Sequence, residues 1–271
     1  KGFQIIDQQM DLYYQKPSDF DTYAYTSQVL QAEGLKIAIE AHRMAMPYCM
    51  GTLYWQFNDC WPVVSWSSSD YYQEKKAAYY FVKKSFATNI LTFKKQQDSL
   101  QVCLVSDSLN EMQVQFKFRV MDFTGKQILE TNQLLKVAPQ SATVLLNKSI
   151  ASIVSKYSLQ NLVAVASILK ADGSIIDQYF YFDTVKNLAL KKDTILLQQS
   201  RQNNQVAITL LSTTLKKNVQ LATNISGEFS DNYFDLMPNQ TQVIYFKPSQ
   251  LLSLESIPLT TKFIYNKESK K

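Results

Sequence analysis

The sequence predicts a mostly β chain headed by a short α/β piece, and three observations carry that expectation. Over residues 1–89 the apolar residues follow a helical period around one run that does not alternate, whereas from about residue 90 they switch to a period of two. Short alternating segments then recur at regular spacing as far as residue 265. Finally, the 271 residues hold more such strands than one seven-stranded sandwich uses, enough for two immunoglobulin-like β-sandwiches. The stretch "VKNLALKK", 185–192, is the expected seam, which gives a division into 1–89, 90–186 and 187–271.

Taken in order, residues 23–46 read as one long helix. At 100° per residue, Leu35, Ala38, Ile39 and Met46 fall on one side and Leu30, Ile37, Ala41 and Met44 on the opposite side. Lys36, Glu40 and Arg43 make a narrow polar strip between them, so the helix is expected to pack on two sides, and Pro47 ends it. Residues 48–57 are aromatic and apolar without alternation, which suits a strand buried on both faces. After a loop with Trp61, Pro62 and the serines 65–69, residues 72–86 read as a second helix. One strand and two helices cannot make a sheet, so this piece is expected to be the end of a larger α/β domain. The clearest later strand is 112–120, where Met112, Val114, Phe116, Phe118 and Val120 alternate with Gln113, Gln115, Lys117 and Arg119. Residues 162–169 and 174–182 flank the turn Ala171, Asp172, Gly173, a hairpin signal. Further strands are expected at 100–105, 127–137, 143–146, 195–199, 205–211, 218–223, 242–246 and 260–265.

Composition narrows the function classes. The net charge of +5 is scattered, with one charged cluster at 267–271, and no recognition motif accompanies it, so no nucleic-acid partner is expected. No run of 18 apolar residues occurs, so no membrane association is expected either. The first ten residues do not form a signal peptide and do not begin with Met, which suggests a fragment or a processed chain. Cys49, Cys60 and Cys103 have no ligand spacing and are expected to be buried free thiols; with His42 alone, no metal and no cofactor is expected. Three glycosylation sequons begin at Asn147, Asn224 and Asn239, and they matter only in a eukaryotic secretory route.

The chemistry is concentrated in "GTLYWQFNDCWPVVSWSSSDYY", 51–72, which holds all three tryptophans. Trp55, Asn58 and Asp59 fall at the C-terminal end of the expected strand and in the loop after it, the end that carries active sites in (β/α) folds. An exposed indole can stack on the C–H face of a pyranose while amide and carboxylate groups bond its hydroxyls. Trp55, Asn58 and Asp59 are therefore the candidate substrate-binding residues. Asp59 alone is not a glycosidase machine, which needs two carboxylates flanking the bond. Asp70 is expected to cap the following helix.

On these residues a resemblance appears. "LQAEGLKIAIEAHR", "MPYCMGTLYWQFNDCWPVVSWSSSDYY" and "KKAAYYFVKKSF" resemble the end of the catalytic domain of β-mannosidases of glycoside hydrolase family 2, over about residues 5–86. "FSDNYFDLMPNQTQVIYF" resembles, more weakly, the C-terminal sandwich of the same enzymes. In that family two sandwich-like domains precede a (β/α)8 barrel and two sandwiches follow it. The resemblance implies that 23–46 is the seventh barrel helix, 48–57 the eighth strand and 72–86 the eighth helix. It implies that Trp55 forms a wall of the pocket for the terminal sugar, with Asn58 and Asp59 in the loop behind it and Trp61 and Trp66 packing that loop. The segment around 73–75 departs from relatives, which more often show Gly and Trp there.

The resemblance also implies what is missing. The family's acid/base glutamate lies in an Asn-Glu pair after the fourth strand and its nucleophile follows the seventh, both upstream of Lys1. Glu33, Glu40 and Glu74 sit on expected helices, in neither setting, so no catalytic residue is assigned in this chain. The expectation is a C-terminal fragment of an exo-acting retaining β-mannosidase, inactive alone, whose complete form acts on a β-mannoside or mannose-containing oligosaccharide. A periplasmic or secreted location is expected for the complete protein, and self-association of the fragment through its unpaired barrel segment. The alternatives are a related family 2 enzyme acting on another β-sugar, such as a β-glucosaminide, and a non-catalytic carbohydrate-binding or scaffold module.

Overall fold

The computed structural model describes residues 2–154, 156–250 and 256–267, so the charged tail lies outside the described residues from position 268 onward. The chain is mostly β, with a few helices at its start, and divides into two units: Lys1–Asp122 with Gln127–Val185, and Phe123–Lys126 with Lys186–Lys271.

Helix α1, Gly2–Tyr13, buries only Met10, although Phe3, Ile6, Met10 and Tyr13 recur at helical spacing; no element was expected here from the sequence. Helix α2, Phe20–Met44, starts where Asp19 accepts the Thr22 amide at 2.8 Å, satisfying one of the unpaired donors of the first turn. The Tyr23 hydroxyl donates to Asp7 Oδ1 at 2.7 Å and ties α1 to α2. The buried stripe of α2 runs through Tyr25, Val29, Ala32, Ile39, Glu40 and Arg43. Two-sided packing is not what forms: Ala38 and Ala41 face solvent and Ile37 is 67% exposed, while two members of the expected polar strip are buried.

Those two residues join α2 to the first sandwich. Glu40 accepts from Thr92 Oγ1 at 2.8 Å and from Gln178 Nε2 at 2.9 Å. Arg43 donates to the carbonyls of Ser85 at 2.7 Å and Ala87 at 2.6 Å, and its Nη2 meets Asp107 Oδ2 at 2.7 Å. A polar strip read as solvent-facing is thus buried because it meets specific partners. Burial raises the Glu40 carboxyl above the usual range, against the lowering effects of Lys36 and of the bond from Thr92. The neutral form is the one the fold favours, so its contribution to stability is complete below the unfolded-state value and is lost as pH rises through the folded-state value. Glu40→Gln, which keeps the shape without the charge, is expected to match the parent chain in acid and exceed it by on the order of 1 kcal/mol once Glu40 ionises. Urea unfolding across pH checks this; a constant difference at every pH contradicts it.

Helix α3, Ala77–Ser85, begins later than the pattern suggested. The Glu74 amide donates to Asp70 Oδ1 at 2.9 Å and the Asp70 amide to the Glu74 carbonyl at 3.1 Å. Asp70 therefore closes a turn over 70–74 instead of capping the helix, with Gln73 at φ 68°.

The first sandwich follows. Strands β1 (Asn89–Gln96), β2 (Ser99–Ser106) and β5 (Ser141–Ser149) form a sheet in the order β1-β2-β5. Strands β3 (Met112–Asp122), β4 (Gln127–Val137), β6 (Leu162–Lys170) and β7 (Ile175–Tyr181) form another in the order β4-β3-β6-β7, and all pairs are antiparallel. Leu100, Val102 and Leu104 of the first sheet meet Val114, Phe116, Phe118, Ala164, Ala166 and Ile168 of the second in one core. The β6–β7 turn is the hairpin expected at 171–173, with Gly173 at φ 80°, a conformation that favours glycine. A short helix α4, Ile150–Val154, leads into β6.

The second unit holds β8 (Leu196–Gln202), β9 (Gln205–Leu211), β10 (Lys216–Ala222), β11 (Gly227–Phe229), β12 (Phe234–Leu236), β13 (Gln242–Pro248) and β14 (Thr260–Ile264). Its sheets run β12-β10-β14 and β11-β13-β9-β8 around Val206, Ile208, Leu210, Val219, Leu221, Phe234, Ile244 and Phe246. The stretch "SDNYFDL" is explained by one side chain. Asn232 Oδ1 accepts the Leu221 amide and its Nδ2 donates to the Leu221 carbonyl, both at 2.8 Å, so a buried amide takes the place of a strand partner. Lys216 is fully buried here, its ammonium 3.4 Å from Asp193 Oδ2.

Candidate functional site

The aromatic stretch lies between α2 and α3, in the first unit. The strand expected over 48–57 does not form. These residues run without regular pairing, and their large side chains are open to solvent: Tyr48 is 97% exposed, Leu53 99% and Trp55 75%. A segment composed for burial on two faces meets no second strand among the described residues. The packing role expected for Trp61 and Trp66 is not seen either, since both indoles are exposed. Of the cysteines, all free among the described residues, only Cys103 is buried; Cys60, in this loop, is exposed.

The stretch is nevertheless ordered, and polar groups order it. Its two limbs are paired by the amides of Ser68 and Ser69, which donate to the carbonyls of Gln56 at 3.0 Å and Phe57 at 2.9 Å. The Asp59 amide returns to the Ser69 carbonyl at 3.2 Å, and Tyr54 and Ser68 share a hydroxyl contact at 3.0 Å. At the centre lies the Asp59 carboxylate, 5% exposed. It accepts from Ser65 Oγ at 2.7 Å and from Ser67 Oγ at 2.5 Å, with Lys76 Nζ 3.6 Å away and itself 2.8 Å from Ser67 Oγ. Gln56 Nε2 reaches Asp59 Oδ1 at 3.3 Å and the Asn58 carbonyl at 3.0 Å. The hydroxyls of Ser67 and Ser65, with Lys76, hold the Asp59 carboxyl below the usual range. Its contribution is therefore present above the ordinary carboxylate range and is lost as pH falls through the depressed value.

Helix α2 holds the rest. Gln31 Nε2 donates to the Trp66 carbonyl at 2.6 Å, and His42 Nδ1 lies 3.0 Å from Thr52 Oγ1. Of the three sequence-derived candidates, Trp55 and Asn58 are exposed while Asp59 is enclosed, its oxygens already taken by serine hydroxyls. Gln31 and Lys76 were not singled out from the sequence, the serines 65–69 were read only as part of a loop, and His42 was given no role. The serines were legible as hydroxyl donors six and eight positions from a carboxylate; the contacts from α2 and from Lys76 depend on tertiary folding. The trio leaves one flat aromatic face and one amide open, the two kinds of group that hold a pyranose.

Comparison with known proteins bears on this arrangement. Residues 98–187 match the model of the mannosidase Ig/CBM-like domain and residues 190–262 that of an Ig-fold domain. The β-mannosidase of Capra hircus is 28% identical over 263 residues, covering 89% of this chain and 30% of its own length. The β-mannosidase B of Aspergillus niger is 41% identical over 70 residues, 25% of this chain and 8% of that protein. Among solved structures, the β-D-mannosidase of Dictyoglomus thermophilum superposes with a TM-score of 0.82 at 24% identity, over 94% of this chain and 31% of its own. An exo-chitosanase of Amycolatopsis orientalis does so at 0.71 and 14% identity, over 96% of this chain and 36% of its own. The chain thus spans about 30% of the length of the curated relatives it matches along most of its own.

Proposed function

We infer, from the premise that this chain belongs with the C-terminal part of the β-mannosidases of glycoside hydrolase family 2, that it works within a longer, exo-acting retaining β-mannosidase. In that protein residues 1–89 complete a catalytic barrel, and 90–186 and 187–271 are the two sandwiches behind it. The substrate is a terminal β-mannose on a mannoside or oligosaccharide. Trp55 offers its indole as the pocket wall on which the sugar's C–H face stacks, and Asn58 offers amide donors and acceptors at the rim. The observation that carries the reading is the state of Trp55: a tryptophan 75% exposed stands on a loop held in shape by a dedicated polar network.

Retaining hydrolysis uses two carboxyl groups about 5–5.5 Å apart, one as nucleophile and one as acid then base. Neither is assigned to this chain. Glu40 is committed to Thr92 and Gln178, and Glu74 lies exposed in the turn that its main chain closes with Asp70. The same exposed segment is proposed to promote self-association when the chain is alone, since its unpaired backbone and apolar side chains invite a partner.

The test is turnover of p-nitrophenyl β-mannoside and p-nitrophenyl β-glucosaminide by the purified chain and by the longer protein. The chain alone is expected to stay at the buffer blank, because loss of essential groups costs many orders of magnitude, while the longer protein prefers the mannoside. Turnover by the chain itself contradicts the placement of the carboxylates, and preference for the glucosaminide contradicts the choice of sugar.

A further inference from the structure

We propose that Asp59 is a positioning residue for Trp55, acting through Gln56, and does not itself hold the sugar. The proposal rests on the pocket reading above for its effect on catalysis, but its geometric part stands within this chain. Asp59 is buried between two exposed neighbours, Asn58 and Cys60, so the backbone turns this one side chain inward. Both carboxylate oxygens lie 2.7 Å from Ser65 Oγ, and Oδ2 also receives Ser67. A carboxylate so enclosed has no face left for a substrate hydroxyl. What it does reach is the Gln56 amide, and Gln56 is also pinned through its own carbonyl by the Ser68 amide. Trp55 is the next residue along. With Gln56 held at side chain and main chain, the direction in which the Trp55 indole leaves the loop is set.

Lys76 extends the clamp. It stands immediately before α3 and bonds Ser67 at 2.8 Å while facing Asp59, so the loop is registered against a helix rather than floating with its own turn. A buried carboxylate with hydroxyl and ammonium partners is a rigid support, since breaking any one contact leaves charge uncompensated. A sugar platform needs such support, because a small misplacement of a stacking group can cost a large factor in rate.

Two experiments test this, one independent of the catalytic reading. With Trp61→Phe and Trp66→Phe, Trp55 becomes the sole tryptophan of the chain, and its fluorescence anisotropy reports how firmly it is held. Asp59→Asn is expected to lower that anisotropy, Lys76→Met to do so by a smaller amount and Lys76→Arg to leave it unchanged. If Asp59→Asn unfolds the loop region by circular dichroism, Ser67→Ala and Lys76→Met serve in its place. Unchanged anisotropy in the folded variants overturns the proposal whatever the enzyme does. In the longer protein, Asp59→Asn is expected to cut kcat/KM for the aryl mannoside by about tenfold, yet by less than about twofold when Trp55 is already Ala, because the two act as a unit. Fully additive losses overturn a route through Trp55 and make Asp59 a direct contact. A silent Trp55→Ala with lowered anisotropy in Asp59→Asn refutes the pocket reading and leaves the clamp standing.

Discussion

Trp55→Ala, made in the longer protein, is expected to lower kcat/KM for an aryl β-mannoside by roughly 10²-fold. The indole is 75% exposed in this chain, so its removal deletes no core contact and the loss must come from substrate. Stacking a ring on an aromatic platform is worth about 1–3 kcal/mol in nucleic-acid complexes, and a mispositioned sugar adds a rate penalty of its own. Trp66→Ala is the internal control. Trp66 is exposed too, and it is tethered by its main-chain carbonyl to Gln31, a bond that the substitution leaves in place. Its activity and melting temperature should stay near those of the parent. If instead Trp66→Ala abolishes activity and Trp55→Ala is silent, the assignment of the pocket wall is reversed.

Arg43→Ala is expected to destabilise the first unit by about 2–4 kcal/mol. The guanidinium is the hub between α2, the end of α3 and the first sandwich, and without it the carbonyls of Ser85 and Ala87 lose a charged donor. A buried acceptor left unpaired costs about 1–3 kcal/mol; the Ser85 carbonyl is such an acceptor, the part-buried Ala87 carbonyl adds less, and the packing of the buried Arg43 stem is lost as well. Asp107 contributes less, because its side chain is half-exposed and water replaces its partner. Arg43→Lys should recover only part of the loss, since an ammonium cannot present the same fork to several acceptors. Urea unfolding of the three proteins checks the order; a loss below about 1 kcal/mol for Arg43→Ala would mean that the joint is not what fastens the helix.

How far the sequence foretold this depends on whether local pattern or tertiary partners decide each element. In β3, Gln115, Lys117 and Arg119 alternate with Phe116, Phe118 and Val120, and a half-buried strand follows from that period alone. Strands β4 and β9 were legible to the residue because turn chemistry bounds them. Residues 48–57 were misjudged because composition reports suitability for burial, not the presence of a partner, and here Leu53 and Trp55 stand exposed. Glu40 and Arg43 were misjudged in the opposite sense: their charge suggested solvent, while their partners Thr92, Gln178 and Asp107 lie more than fifty residues away. At the site, the aromatic face of Trp55 was readable. The inward turn of Asp59 was not, because it depends on Ser65, Ser67 and Lys76 arriving together.

We propose that residues 48–57 belong to the end of a larger barrel and lack their main partners here, while local polar contacts order the loop after them. Amide hydrogen exchange of the chain, with light scattering to fix its association state, tests it most directly. In a monomer the amides of 48–55 should exchange almost as fast as in an unstructured peptide, those of Ser68 and Ser69 more slowly, and those of β3 and β6 slowest of all. In a self-associated chain, protection of 48–55 should rise and fall with the degree of association. A strictly monomeric chain whose residues 48–55 exchange as slowly as β3 and β6 would contradict the account, because that segment would then have found all its partners within these 271 residues.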